Sequence, residues 1–198
     1  MIGRLLSLLL LVLPLHAERY PVFVYGSLLN PESAKTTLSS ETVAAGRPAV
    51  AFGIRRLFNR KVAEELVVKR FGPLEAPDQV GALNVVWTGR PTDRVNGLLL
   101  QVTEEELARL KEREVGYGLI SVKVAPWEGS LCRCWTAYTF SAGGPYVASD
   151  VMPIPGYYEE VRKGMARYGR RFLEVYLQTT YLANGVTPIK CIEVSLLQ

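Results

Sequence analysis

The chain has 198 residues, 48% of them hydrophobic, and a formal charge of +4 at pH 7. That length and apolar content suit one domain with a sizeable core and exclude a disordered chain. A charge balance this mild fits a small anionic ligand and makes no case for nucleic acid.

In chain order, residues 1–17 stand apart. Arg4 gives a basic start, Leu5 to Leu15 is an apolar run, and "PLHA" ends on the small residue Ala17. This layout reads as a secretory signal peptide, with a single domain over residues 18–198 and a periplasmic or extracellular mature protein. The apolar run is shorter than the ~20 residues a membrane-spanning helix needs, so no stable span is expected after its removal. The bulk of Leu15 beside the cleavage point leaves a retained anchor as the other reading. Removal would lower the charge from +4 to +3 and take away His16, the only histidine. Without an imidazole, Ser-His-Asp hydrolysis, Cys-His catalysis and histidine metal sites are excluded. Proton chemistry near neutral pH then falls to a carboxylate, a tyrosine, a lysine or a thiol.

Tyr20–Tyr25 reads as a strand with almost no polar face, and it stops at Gly26-Ser27. Asn30-Pro31-Glu32 is a helix start, with Asn as cap and Pro in the first turn. Gly26 permits a tight turn between them. The amides of Gly26, Ser27 and Leu28 then lack a strand partner and lie beside the positive end of the helix. Such amides bind anions, a carboxylate as readily as a phosphate. An ordinary strand-to-helix turn is the competing reading, and the chain has neither GxxxxGK[ST] nor GxGxxG.

Further strands are expected at Pro48–Phe52, Ala82–Trp87, Gly97–Val102, Ile120–Val124 and Trp135–Phe140, separated by turns such as "GPLEAPD", "GRPTDRVNG" and "SAGGP". Arg55 and Arg56 read as solvated residues of a strand edge, with contact to a ligand carboxylate as the alternative. Lys61 to Asp78 is charged, is broken by Pro73 and Pro77, and reads as a surface excursion.

"TEEELARLKERE" places Thr103 as a cap with Glu106 three residues on, a capping box. Leu107, Leu110 and Glu114 then share one helix face, while Arg109 and Glu112 point elsewhere. Glu114 becomes a carboxylate on the apolar side at the helix C-terminus. Partial burial and the negative end of the helix both raise its pKa, which suits a base working near neutral pH. The competing reading is a frayed helix end with Glu114 in water or paired with Arg113.

Cys132 and Cys134 point to one face of a strand. Either one pairs with Cys191 or all are small buried hydrophobes. Three thiols without imidazole make a poor metal site, so neither metal nor cofactor is expected. "PGYYEEVRKGMARYG" turns Tyr157 or Tyr158, Val161, Met165 and Tyr168 inward; "RRFLEVYLQTTYL" does the same with Phe172, Val175, Tyr176 and Leu182. Arg162, Lys163, Arg167, Arg170 and Arg171 read as a solvated face rather than a phosphate-binding stripe. Strands first and helices last make an α+β domain: a small mixed β-barrel or strongly curled sheet with flanking helices.

The strand ending in "VYGSL", the "NGLLLQV" strand, "LKEREVGY", and "AYTF" followed by "PGYYEEV" together resemble the gamma-glutamylcyclotransferase-like superfamily over most of residues 20–182. "FVYGSL" and the Glu of "REVGY" are the most specific elements; Lys61 to Asp78 matches nothing in it. The resemblance implies a small-molecule gamma-glutamyl substrate, peptide or amine, whose own α-amine attacks its γ-carbonyl and releases 5-oxoproline. By that resemblance Glu114 is the base, and Tyr25, Gly26, Ser27 and Leu28 form the glutamyl pocket. Tyr117 and Tyr138 are further hydrogen-bond candidates there, or half-buried core tyrosines. The alternatives are a non-catalytic binding domain that retains the anion pocket, and a catalyst acting on another acyl substrate such as a gamma-glutamylated metabolite. Neither the leaving amine nor the oligomeric state is legible.

Overall fold

The computed structural model describes residues 18–73, 80–129 and 134–196. The segment read as an export signal, and Cys132, lie outside these residues. Among the described residues no helix is long and apolar enough to cross a membrane.

In chain order the elements are β1 (Tyr20–Val24), a 3-10 turn (Ser27–Leu29), α1 (Pro31–Ala34), α2 (Ser40–Ala44), β2 (Arg47–Phe52), β3 (Ile54–Lys61), α3 (Glu64–Phe71), β4 (Val80–Trp87), β5 (Arg94–Val102), α4 (Glu104–Arg113), β6 (Gly118–Pro126), β7 (Trp135–Ser141), a second 3-10 turn (Gly144–Tyr146), β8 (Met152–Pro153), α5 (Pro155–Ala166), α6 (Arg170–Thr179), β9 (Thr180–Leu182), a third 3-10 turn (Ile189–Ile192) and α7 (Glu193–Leu196). Five strands close into a barrel in the order β1-β5-β2-β6-β7. Its ladders are antiparallel except at the closure, where β1 meets β7 in parallel with Val22 beside Tyr138. Phe23, Val95, Leu98, Leu100, Val122 and Val124 are among the residues buried in the core that results. The other four strands form a sheet in the order β8-β4-β3-β9. The fold is thus the expected α+β class, a closed barrel with a second sheet and flanking helices.

All six expected strands form, most of them longer than the sequence suggests. The strand β3 was not expected, and it corrects the reading of its arginines. Arg56 is 0% exposed, so it is neither a solvated edge residue nor a contact for a ligand carboxylate. Its Nε donates to Thr180 Oγ1 at 2.7 Å, Nη1 to the carbonyls of Asn96 (2.8 Å) and Tyr25 (3.3 Å), and Nη2 to Asn96 Oδ1 at 2.8 Å. Its guanidinium lies 4.5 Å from the centre of the Tyr176 ring. Burial lowers its pKa to about 10, which leaves it protonated at neutral pH. Arg55 pairs with Asp93 at 3.1 Å.

The supposed surface excursion contains the end of β3 and the helix α3, whose Val67 reaches the core while most of its other side chains stay exposed or half-exposed. Of the second C-terminal helix, Phe172 and Tyr176 are buried, but Val175 is only half-buried and Leu182 belongs to β9. The basic residues of α5 and α6 behave as a solvated face: Arg162 pairs with Glu193, Lys163 with Glu159 and Arg170 with Glu174. Cys134 and Cys191 are exposed, so neither is a buried hydrophobe.

One helix sits directly on the loop that follows β1. A Cβ at Gly164 in α5 would come within 2.8 Å of the Asn30 nitrogen and 2.9 Å of the Leu29 carbonyl carbon. Glycine inside a helix costs about 1 kcal/mol relative to alanine; here it lets the helix backbone press against the loop and hold it in place.

Candidate active site

β1 carries the chain to one end of the barrel, where Tyr25 is held through its hydroxyl and its carbonyl. Its hydroxyl donates to the Phe140 carbonyl at 2.6 Å, and its own carbonyl accepts from Arg56. The next residues form the 3-10 turn, closed by Leu29 N to Gly26 O and Asn30 N to Ser27 O, each 3.0 Å. The amides of Gly26, Ser27 and Leu28 find no carbonyl acceptor among the described residues, as the opening amides of a helical turn must.

Gly26 sits at φ −125° and ψ −138°, so it does not use the positive-φ region. It also has no room for a side chain: a Cβ there would stand 2.8 Å from the Tyr157 hydroxyl. One expectation about this loop needs correction. Asn30 does cap α1, its Oδ1 accepting from Glu32 N at 3.1 Å, with Pro31 in the first turn. But α1 has only four residues, too few aligned peptides for much of a macrodipole. Any pull on an anion comes from the local amides.

The capping box at the start of α4 is present, and Glu106 does more than close it. Its carboxylate accepts from Thr103 N (3.0 Å), Ser39 N (2.9 Å) and Thr42 Oγ1 (2.8 Å), tying α4 to the start of α2. Leu107 and Leu110 are buried, as their spacing demands. The helix ends at Glu114, whose amide reaches Leu110 O at 2.9 Å. Gly116, at φ +82°, then reverses the chain so that Tyr117 N meets Glu114 O at 3.0 Å.

This turn holds the Glu114 side chain against the barrel mouth with 20% of its surface exposed, so it is not a frayed end in water. Its Oε1 lies 3.5 Å from Arg113 Nε, a long ion pair. Burial raises the pKa of Glu114 above the ordinary glutamate value; Arg113, Arg70 and Arg60 pull the other way without cancelling it. Arg113 also links the two halves of the site. It donates to Ser27 Oγ at 3.2 Å and Ser33 Oγ at 2.8 Å, and to Ser33 O at 2.7 Å.

Glu114 and the loop line one small, half-open cleft. Tyr25, Gly26, Ser27, Leu28 and Tyr117 line it, together with Leu83, Phe140 and Tyr157. Tyr117 donates to Leu83 O at 2.6 Å, which fixes its ring as part of the wall. Tyr138 is absent from the lining and 39% exposed. On β7 its neighbours Ala137 and Thr139 are buried, so the pleat turns Tyr138 outward. Tyr157 and Arg113 were missed as site residues. Tyr157 and Tyr158 are adjacent and both buried, and no spacing in the sequence tells which one faces a cleft. Among the described residues no three His, Cys, Asp or Glu side chains gather at a metal-sized site.

Barrel, second sheet and the flanking helices together make the gamma-glutamylcyclotransferase-like fold, and the chain has that fold. It is similar to a solved structure described as gamma-glutamyl cyclotransferase, with 19% identity, a TM-score of 0.55, and coverage of 79% of this chain and 85% of that one. An uncharacterized protein from Homo sapiens matches with 20% identity, a TM-score of 0.55 and the same coverages, 79% and 85%. YkqA from Bacillus subtilis matches with 18% identity and a TM-score of 0.58, over 80% of this chain and 52% of that one. No family model matches the chain, and no curated protein matches it. At such identities the likeness establishes the fold; the chemistry has to come from the site.

Proposed function

We propose that the protein is a cyclotransferase that cleaves gamma-glutamyl peptides or amines and releases 5-oxoproline. The observation that carries this reading is that Glu114 lines the same cleft as Gly26, Ser27 and Leu28, whose amides find no carbonyl acceptor among the described residues. That pairing suits a substrate that brings its own nucleophile. The α-ammonium gives a proton to Glu114, and the freed nitrogen attacks the γ-carbonyl carbon. The amides hold substrate oxygens while the ring closes. As the bond from the γ-carbon to the leaving nitrogen breaks, Glu114 passes that proton to it, then takes the second proton from the ring nitrogen and hands it on as well, so that the ring keeps one N–H and the amine leaves as an ammonium. No water is consumed, and no enzyme nucleophile or imidazole is required.

The magnitudes are adequate. Aligning two groups of one bound molecule supplies roughly 7 kcal/mol or more in favourable cases. A positioned base adds about 10²- to 10⁴-fold. Burial raises the proton affinity of the Glu114 carboxylate although Arg113, Arg70 and Arg60 pull the other way, which makes it a better base than one in water. Glu114→Gln, nearly isosteric, is expected to lower 5-oxoproline release by at least ~10²-fold while circular dichroism and the melting temperature stay near native. Near-native turnover in that variant would remove Glu114 from the mechanism.

A further inference from the structure

Beyond Glu114 the cleft runs into a second, wider groove of about 580 Å³. The two share Ser27, Glu114, Tyr117 and Tyr157, so the groove adjoins the cleft. Its outer wall is α3, from the segment that lies outside the family resemblance. Leu66 and Phe71 of that helix present apolar surface, and Lys69 and Arg70 present charge.

The charges in the groove do not balance. Arg113 faces Glu114, and Arg70 holds both oxygens of Glu160, at 2.7 and 3.0 Å. Arg60 has no carboxylate within ion-pair distance among the described residues. Its Nη2 donates to Val115 O at 2.7 Å, its guanidinium lies about 5 Å from the Tyr117 and Tyr146 rings, and its Nε is buried with no hydrogen-bond partner. Lys69 likewise has no ion pair among the described residues. Among the described residues neither cation has a carboxylate at ion-pair distance, and both stand beside an apolar wall, next to the place where the leaving group must lie.

We infer that this groove is a leaving-group subsite which selects gamma-glutamyl compounds whose amine portion carries both a carboxylate and an apolar side chain. A gamma-glutamyl dipeptide with an apolar second residue satisfies it: the side chain lies on Leu66 and Phe71, and the carboxylate faces Lys69 and Arg60. A gamma-glutamyl amine lacking the carboxylate leaves both cations unmatched, and one ending in an ammonium meets repulsion. The inference rests on the cyclotransferase reading above and adds the substrate class to it.

The test compares three substrates in the same 5-oxoproline assay: gamma-glutamyl-phenylalanine, gamma-glutamyl-phenethylamine, and the monoamide of gamma-glutamate with a diaminobutane. The native chain is expected to prefer the first over the second by about fivefold to tenfold in kcat/KM, chiefly through KM, and the third is expected to be poorest. Lys69→Glu, an exposed charge reversal, is expected to narrow that preference and to improve the diamine compound. Equal kcat/KM for all three, or an equal effect of Lys69→Glu on all three, overturns the subsite and leaves the cyclotransferase reading standing. No 5-oxoproline from any of them overturns that reading instead.

Discussion

At position 26 a single hydrogen faces the hydroxyl of Tyr157, and a methyl group in its place would stand 2.8 Å from that oxygen. The Tyr157 ring is buried and packs edge-on against Phe58 and Phe71, so it has little room to retreat. Gly26→Ala is therefore expected to weaken substrate binding and to destabilise the fold by about 1–3 kcal/mol, as overpacking does. Tyr157→Phe removes the obstructing oxygen, so the double variant should recover most of the lost stability in a urea melt. Simple additivity of the two changes would refute the clash. The sequence read Gly26 only as a turn former, because its need for space depends on a side chain 131 positions away (Gly26 to Tyr157). Glu114 was legible for the opposite reason: its face follows from residues within the same helix.

The elements that carry the site are pinned by buried polar side chains. Glu106 is the case in α4. Burial would raise its pKa, but the amides of Ser39 and Thr103 and the hydroxyls of Ser39 and Thr42 outweigh that and hold it below the ordinary value of 4.5. A carboxylate with a depressed folded-state pKa contributes its stability fully above the unfolded value and loses it as pH falls through the folded one. Glu106→Gln is thus expected to cost about 1–3 kcal/mol at neutral pH, and the gap to the native chain should close as the solution is acidified below pH 4.5. A gap that stays constant with pH would contradict a charged Glu106 in those bonds. The capping box was visible in "TEEE", but the reach to α2 was not, since it joins residues 67 and 64 apart.

On the scale of the whole molecule, the barrel was the legible part. Its strands carry apolar alternation or continuous apolar runs that local sequence displays. Of the second sheet only β4 was: β8 and β9 have two and three residues, too few to show a period, and β3 hides its inward face behind Arg56. That arginine joins the loop after β1, the strands β3, β5 and β9, and through Asn96 Nδ2 the carbonyl of Phe172 on α6. Arg56→Met would leave the Asn96 and Tyr25 acceptors buried without a donor. A loss of about 3–5 kcal/mol is expected in denaturant melts, felt equally by probes in the barrel and the second sheet. A loss under about 1 kcal/mol would show that the two layers do not depend on this side chain.

The claim on which the rest turns is that one carboxylate and one strip of backbone act on the same small molecule. It is tested by incubating the native chain and Glu114→Gln with a set of gamma-glutamyl compounds and measuring 5-oxoproline against time. The account predicts release by the native chain from at least one compound and a fall of ~10²-fold or more in the variant. Equal release by the two proteins, or none by the native chain from any compound, would contradict it.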